Sequence, residues 1–400
     1  MDGLADSYAE AVRTSLGFFW KAGWAFVLGY FISACIQVLV PRRKLARHLG
    51  GDGLRSVGLA TLFGSISSSC SFAALAAARA LVHKGAHFVA AVAFMFASTN
   101  LVIELGILLY IFLGWEFLLA EIVGGLVLIA ISSALIRLTY PESWLSAARK
   151  RVQEAASGAD EDFDWRERAG SLEGWSMIGR RFVMEWQMVW QEILIGFSLA
   201  GMIATFVPRS FWQSLFLTSR IGAEPASFLV VLENALVAPL VAAATFIGSM
   251  GNIPLATVLS SGGVMFAGIM GFIYSDLMVP PLVRINAKYY GWRVALYVAA
   301  VMYASIVVTA VGLHYLFLVA GVIPESTRQV AEIVQFRVDY TLFMNAGALF
   351  VVGVLLWLAR RRAASVARED EAEVAWSVQD WVTAGFAAWL IGGSIAWMAR

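Results

Sequence analysis

The stretch GSISSSCSFAAL, residues 64–75, decides the fold, because it interrupts a run that is apolar from Val57 to Val82 apart from Thr61 and Arg79. It contains five serines and one cysteine. Lipid offers no partner to an unpaired polar group, so small polar residues at membrane depth need a structural or functional reason. The stretch is therefore either a close-packed seam between helices or a place where the backbone unwinds around a bound solute.

The composition of the chain is typical of a membrane protein. Its 400 residues are 60% hydrophobic and 14% charged, with a mean hydropathy of +0.74, a balance that soluble chains of this length rarely reach. The apolar runs are continuous rather than alternating, which favours helices over a barrel. We expect an all-α polytopic protein that is embedded in a lipid bilayer, needs no cofactor and binds no nucleic acid. The acidic N-terminus, MDGLADSYAEAVR, predicts no cleaved signal peptide.

Two apolar stretches are broken, and the others run without interruption. Val57–Val82 is broken by GSISSSCS, and Ala235–Ser261 is broken by GSMGNIP at 248–254. Each half is roughly 9–14 residues long, too short to span a bilayer, so each stretch is predicted to be a re-entrant helical hairpin. The uninterrupted spans are predicted at Gly17–Val40, Ala86–Leu113, Phe117–Leu138, Trp186–Val207, Val264–Pro280, Arg293–Val322, Tyr340–Leu358 and Trp381–Met398.

The two halves of the chain resemble each other. KGAHFVAAVAFMFAST (84–99) aligns with SGGVMFAGIMGFIYSD (261–276), 177 positions later, and the same offset carries the GW at 114–115 onto the GW at 291–292. Each repeat then has three full spans, an odd number, so the repeats are inverted. Inverted repeats whose broken segments meet near the midplane are typical of secondary transporters.

The repeats define the predicted domains. They are a first membrane repeat at 1–139, a cytoplasmic polar linker at 140–185, a second membrane repeat at 186–322, and two additional C-terminal transmembrane helices at 323–400. In this scheme Glu233 and Asn234 mark a turn at the membrane surface.

At this point the motifs resemble a known family. Ser69-Cys70-Ser71-Phe72-Ala73-Ala74-Leu75-Ala76, Ala97-Ser98-Thr99-Asn100 and Ile253-Pro254-Leu255-Ala256 resemble the motifs of the predicted permeases that include the ArsP organoarsenical efflux proteins and the YraQ-like proteins. The family motifs carry a second cysteine in the first hairpin and prolines in the first two motifs, which this chain lacks. The resemblance implies an inner-membrane permease of similar fold that exports a small toxic solute such as an organoarsenical.

Cys70 and its neighbours are the first candidates for a site. A thiolate suits soft species such as trivalent arsenic, although a buried cysteine can equally act as a small hydrophobe. The serines can line a polar cavity or allow close helix packing, and methionines more often fill gaps in a core. The predicted substrate-binding residues are Cys70, Ser67, Ser68, Ser69, Ser71, Ser98, Thr99, Asn100, Ser249, Met250, Asn252 and Ser275, with Cys70 also the predicted metal or metalloid ligand.

Asp276 and Glu104 are the candidates for proton coupling. Ionisable residues within spans usually face a cavity or a partner, and they often relay protons. The alternative is ion pairing, of Asp276 with Arg284 and of Glu104 with Arg79. The sequence has no phosphate-binding loop and no zinc-protease motif, so we expect a secondary transporter and not an enzyme. A channel, a transporter for a different small anion, a Cys70-dependent enzyme and a non-transporting membrane subunit remain as alternatives.

The basic clusters predict a topology that can be tested. Cytoplasmic loops carry an excess of Lys and Arg, and the hairpin scheme places the clusters at 42–47, 83–84, 149–151, 180–181, 284–288 and 360–362 inside, with the N-terminus and 323–339 outside. Reporter fusions after residues 45, 150 and 365 are expected to report the cytoplasm, and a fusion after residue 330 the opposite side. Opposite reports from the fusions after residues 45 and 150 would contradict the hairpins.

Overall fold

The chain is an all-helical membrane protein, as the sequence predicts. The computed structural model describes residues 2–39, 49–51, 53–67, 71–139, 144, 165–218, 227–324, 329–361 and 378–398, and within these ranges no β-strand occurs. Six of the described helices are long and apolar enough to cross a bilayer, and a bent pair adds a seventh candidate span.

The helices follow one another with short connections. They are α1 (Asp2–Leu39), α2 (Leu54–Ser67), α3 (Ser71–His83), α4 (Phe88–Asn100), α5 (Ile103–Phe112), α6 (Trp115–Thr139), α7 (Trp165–Gly170), α8 (Leu172–Phe206), α9 (Arg209–Leu215), α10 (Phe228–Thr245), α11 (Ser249–Ser261), α12 (Phe266–Ile273), a 3₁₀ turn (Asp276–Met278), α13 (Pro280–Tyr290), α14 (Trp292–Ala320), α15 (Val330–Ile333), α16 (Tyr340–Arg360) and α17 (Val378–Met398).

The chain divides into two compact units, each built from separate segments. Unit 1 consists of 1–40, 164–209 and 327–400, and unit 2 consists of 41–163 and 210–326. Unit 1 therefore contains α1, α7, α8 and the C-terminal helices, whereas unit 2 contains both broken hairpins.

In unit 1 the long helices α1 and α8 pack side by side. Phe18 and Phe26 of α1 contact the ring of Phe197, at centroid distances of 6.2 and 5.7 Å. Gly201 allows the close approach, since a Cβ there would overlap Ser15 and the Ala11 carbonyl. Close packing of this kind drives helix association in a membrane, because the hydrophobic effect does not favour helix–helix over helix–lipid contact.

Polar contacts tie α16 to α1. Lys21 lies 3.0 Å from the Asp339 carboxylate and also donates a hydrogen bond to Thr341. Asp339 is the N-cap of α16, where it accepts the Thr341 backbone N–H at 2.8 Å. One turn further along, the Asn345 amide donates to the Trp20 carbonyl. The start of α16 is thus anchored by an ion pair and a cap.

In unit 2 the order of elements repeats. Each repeat reads helix, break, helix, discontinuous span, long helix: α2 to α6 in the first, and α10 to α14 in the second. Gly114 and Gly291, which are 177 positions apart, precede the two long helices with positive φ values of 115° and 89°. These equivalent backbone conformations support the repeat found in the sequence.

The packing of the two repeats is reciprocal. The pairs α2–α4, α3–α4, α4–α6 and α5–α6 have counterparts in α10–α12, α11–α12, α12–α14 and α13–α14. Between repeats, α3 contacts α13 and α11 contacts α5, while the long helices α6 and α14 contact each other. A pseudo-two-fold relation between the repeats produces such reciprocal contacts.

The span that follows each broken stretch is discontinuous, which corrects the two uninterrupted spans expected at Ala86–Leu113 and Val264–Pro280. We call it the third span of its repeat, because the broken stretch counts as the second membrane segment. The first is split into α4 and α5, bent by 41°, and Thr99 and Asn100 donate hydrogen bonds to the Phe96 carbonyl just before the bend. Side chains that bond to their own helix in this way compete with its continuation.

In the second repeat, prolines end the span. Pro280 and Pro281 follow the 3₁₀ turn, and Val279 before them is extended, with φ −60° and ψ 139°. A proline disfavours helical geometry in the residue that precedes it. Val279 therefore separates the 3₁₀ turn from α13, and a regular helix resumes at Pro280 after α12 ends at Ile273.

Helix α10 is longer than the sequence analysis expected. It begins at Phe228, not Ala235, and its 18 residues are enough to span a bilayer by length. Glu233 and Asn234 consequently lie inside a helix and not at a turn. The buried Asn234 amide bonds the Phe216 carbonyl at 2.7 Å and the Met265 N–H at 3.2 Å, which fixes the start of α12. Whether the broken stretches are re-entrant stays a prediction.

The ion pair of unit 1 gives a pH-dependent stability. The hydrogen bond from Lys21 lowers the pKa of Asp339, so this carboxylate stabilises the folded state above its unfolded pKa of about 4, and the contribution is lost as the pH falls through the lower folded pKa. Asp339→Asn is expected to lower the melting temperature in detergent at pH 7 by a few degrees, and by progressively less below about pH 4. Glu332→Gln, which alters an exposed acid of nearby α15, is the control and is expected to change little at either pH.

Candidate functional site

The two broken stretches meet at the N-termini of their second helices. α3 begins at Ser71 and α11 begins at Ser249, and the two hydroxyl oxygens are 3.4 Å apart in the interior of unit 2. Helix N-termini carry unpaired N–H groups and a partial positive charge, so two of them at one point form a strongly polar centre. The tips of the two broken stretches therefore meet at this contact.

Asp276 lies at this centre. Its side chain is fully buried, and Ser71 Oγ donates a hydrogen bond to its Oδ2 at 3.2 Å. The hydroxyls of Ser249 and Thr99 also interact with the carboxylate, whereas Oδ1 has no hydrogen-bond partner among the described residues. The expected alternative, an ion pair with Arg284, is not formed within the described part of the chain.

The centre lies on the relation between the repeats. Thr99 and Asp276 occupy equivalent positions, 177 residues apart, and Ser71 and Ser249 are the first residues of equivalent helices. Each repeat thus contributes one hairpin tip and one residue from the break in its third span. We call these four residues, Ser71, Thr99, Ser249 and Asp276, the axial cluster.

Local sequence explains how these elements approach so closely. Gly64 of α2 faces α4, and a Cβ there would overlap the Phe94 carbonyl and Ala97. Pro254 in α11 lacks the N–H that would bond the Met250 carbonyl four residues earlier, which leaves that carbonyl outside the helical ladder. Gly64 therefore lets α2 approach α4 closely, and Pro254 leaves one carbonyl of α11 unbonded within the helix, both near the axial cluster.

Several neighbouring polar atoms are buried without partners. Both amide atoms of Asn252, which lies one turn after Ser249 on the same face of α11, make no hydrogen bond in the described structure. The same holds for Ser98 Oγ and Asn100 Oδ1, which flank Thr99. An unsatisfied buried polar group costs about 1–3 kcal/mol, so together these atoms indicate a place where water or a polar solute is bound.

The other predicted site residues lie around this centre with different contacts. Met250 is buried beside Ser249, and the Ser275 hydroxyl donates to the Gly271 carbonyl of its own helix. Glu104 is buried in the first turn of α5, and Ser67 is half-buried at the end of α2. Ser68, Ser69 and Cys70 lie outside the described residues, so the ligand role of Cys70 stays a prediction. Elsewhere in the described ranges, no group of three or more His, Cys, Asp or Glu side chains could hold a metal ion.

The sequence analysis missed Glu121. This acid lies in α6, is 2% exposed, and has no hydrogen-bond partner for either carboxylate oxygen in the described structure. It interacts electrostatically with Asp276. Its signal was present in the sequence, since Glu121 is the single charged residue of the run FLLAEIVGGLVLIA at 117–130, and such residues are rarely without a role in a span.

The axial cluster contains groups that can bind a small polar solute reversibly. The axial cluster offers hydroxyls, helix N-termini and one carboxylate, and Asn252 adds an amide that can donate and accept. These groups can replace the hydration shell of a small polar solute, and the carboxylate can bind and release a proton.

Close packing at Gly124 gives a test of this arrangement. Tyr274, two residues before Asp276, donates from its hydroxyl to the Ala120 carbonyl at 2.8 Å, and a Cβ at Gly124 would overlap that hydroxyl. Gly124→Ala is therefore expected to lower the melting temperature in detergent, and Tyr274→Phe to restore part of the loss. The matched control is Gly312→Ala in α14, where a Cβ meets open space and the higher helix propensity of alanine favours stability by up to about 1 kcal/mol. Equal effects of Gly124→Ala and Gly312→Ala would contradict the contact.

Comparison with known proteins assigns the chain to a family. It matches the family described as "Predicted permease", ArsP_1, over residues 7–315. It is 38% identical over 330 residues to Rv2963, a predicted permease of Mycobacterium tuberculosis strain H37Rv, with 80% of each chain covered. It is 29% identical over 133 residues to the UPF0718 protein YraQ of Escherichia coli strain K12, which covers 33% of this chain and 38% of YraQ. No solved structure matches the chain. The family match includes every residue of the axial cluster and most of the chain, and the chain therefore belongs to the predicted permease family.

Proposed function

We propose that this membrane permease is a proton-coupled secondary transporter of a bacterial inner membrane, and that it exports a small toxic solute such as an organoarsenical or another soft metalloid species. The axial cluster is its substrate site. The observation that carries this proposal is the meeting of Ser71 and Ser249, from two opposed helix tips, at the buried carboxylate of Asp276.

The position of the site supports alternating access. Discontinuous helices that meet at the interface of two repeats leave backbone and side-chain polar groups free to bind a solute, and inversion of the repeats lets the same site open to either side. The unpartnered amide of Asn252 and the free oxygen of Asn100 supply further contacts that a solute can use.

Asp276 is the proposed proton carrier. It is buried, it has no cationic partner among the described residues, and it is bonded to Ser71 through one oxygen only. A carboxylate in that setting changes its hydrogen bonding when it gains a proton, so proton binding and solute binding compete for the same hydroxyls. Glu104, buried at the start of α5, is the second carrier proposed from the sequence.

The substrate class rests on Cys70. Cys70 directly precedes Ser71 in the sequence, and Ser71 contacts Asp276. A thiolate is a soft ligand suited to trivalent arsenic, and its thiolate fraction rises at a helix N-terminus. Transport of the intact solute, and not a chemical conversion, is the proposed activity.

A second candidate is transport of a different small anion. Two helix N-termini that converge at one point favour negative charge, and half-helix N-termini bind anionic substrate groups in other transporters. This candidate uses the same axial cluster but does not need Cys70.

Transport by the purified chain in liposomes tests the proposal. With an imposed pH gradient and trivalent methylarsenite as the probe, the wild type is expected to move the solute against its gradient, and Asp276→Asn and Cys70→Ala to abolish that movement. Ser71→Ala is expected to slow it about tenfold, because a hydrogen bond to a charged group contributes about 1.5–3 kcal/mol.

Matched controls are available in the same chain. Cys35→Ala alters the second cysteine, in α1 of unit 1, and Ser65→Ala alters a serine whose hydroxyl bonds only its own helix, at the Leu62 carbonyl. Both are expected to retain transport. Transport of a small oxyanion such as selenite, in the absence of methylarsenite and undiminished in Cys70→Ala, would favour the second candidate. Methylarsenite transport that is unchanged in both Cys70→Ala and Asp276→Asn would overturn the proposed site.

A further inference from the structure

Glu121 is a second buried acid beside the axial cluster, and none of the sequence motifs includes it. Its side chain is enclosed in the apolar interior, and neither carboxylate oxygen is hydrogen bonded within the described residues. Burying an ionisable group within a membrane span costs free energy, so such a residue is by default a candidate for a functional role.

The packing of α6 places Glu121 next to the segment that carries Asp276. Tyr274 Oη donates to the carbonyl of Ala120, the residue before Glu121, and lies against Gly124 one turn later. On the adjacent face, Gly125 packs against the side chain of Leu101, at the bend between α4 and α5. The stretch 120–125 of α6 therefore touches the break of the third span in both repeats.

No cation compensates the two acids in the described structure. Electrostatic interactions reach Glu121 from Asp276, and they reach Tyr274 from Glu121. Of the elements packed against α6, α4 and α12 contain no ionisable residue. Helix α5 contains the buried Glu104 and the exposed Tyr110. Helix α14 contains the buried His314, the exposed Arg293 in its first turn, and the partly exposed tyrosines Tyr297, Tyr303 and Tyr315. The Asp276 carboxylate is the ionisable group of the axial cluster.

Two like charges that are buried away from bulk water oppose each other strongly, so the ionisation of one carboxylate depends on the state of the other. We infer that Glu121 and Asp276 form one coupled proton-binding pair, in which Glu121 exchanges the proton that Asp276 holds at the substrate site. In each transfer an O–H bond of one carboxyl breaks, an O–H bond of the other forms, and the negative charge moves the opposite way. The two carboxylates are not hydrogen bonded to each other, so the proton crosses through a water molecule.

The role of the pair in transport rests on the proposed function, but its coupling does not. Infrared spectroscopy of the full chain in lipid, titrated with acid and base, follows the C=O stretch of protonated carboxyl groups without any substrate. Glu121→Gln is expected to remove one component of this band and to move the titration midpoint of the other by more than about one pH unit. Asp276→Asn is expected to do the reverse.

Controls separate coupling from a structural effect. Glu121→Asp keeps a carboxyl group and is expected to keep two coupled components, and Glu116→Gln, which alters the acid in the first turn of α6, is expected to leave both midpoints in place. A midpoint of Asp276 that does not move in Glu121→Gln, or that moves equally in Glu116→Gln, overturns the inference. If Glu121→Gln does not fold, the reciprocal variant decides: a Glu121 midpoint that stays in place in Asp276→Asn overturns the inference.

A transport arm keeps the two proposals apart. In liposomes, Glu121→Gln is expected to retain methylarsenite exchange without a gradient and to lose uphill movement driven by the pH gradient. If transport is coupled to protons but the two carboxyl midpoints are independent, the proposed function stands and this inference fails. If the midpoints depend on each other but transport does not need a proton gradient, this inference stands and the proposed proton coupling fails.

Discussion

The contact of Ser71, Ser249 and Asp276 is the interaction on which the site depends. Two helices begin at one point inside the protein, and their first residues bind a buried carboxylate. Helix N-termini and hydroxyls stabilise negative charge, while burial away from water opposes it. The carboxylate is held between these opposing effects, so small changes in its surroundings can change what it binds.

The sequence was enough to identify the architecture, because long apolar runs and polar breaks are read directly from residue order. The break at 64–71 and its partner at 248–254 predict two broken stretches whose tips meet, and in the structure Ser71 and Ser249 lie at that meeting point. Asp276 was a candidate for the same reason, since an acid within an apolar run is conspicuous.

Features that depend on competition between neighbours were harder to predict. The bend after Asn100 comes from side chains that bond the Phe96 carbonyl, and an apolar run of this length looks like one straight span. Asn234 resembled a turn residue, yet the carbonyl of Phe216 and the N–H of Met265 satisfy its amide inside a helix. Glu121 is visible in the sequence as a lone acid in an apolar run, but its place beside the segment of Tyr274 is set by a contact across the fold, from Tyr274 to the neighbouring Ala120 carbonyl.

The equivalence of Thr99 and Asp276 has a consequence for how such a protein can arise. A dimer of two identical half-chains would place the same residue twice at its symmetry axis, so it would hold either two carboxylates or two hydroxyls there. Joining the halves in one chain frees each copy to diverge. The result is one acid and one alcohol at equivalent positions. A symmetric dimer cannot hold a single carboxylate at its axis in this way.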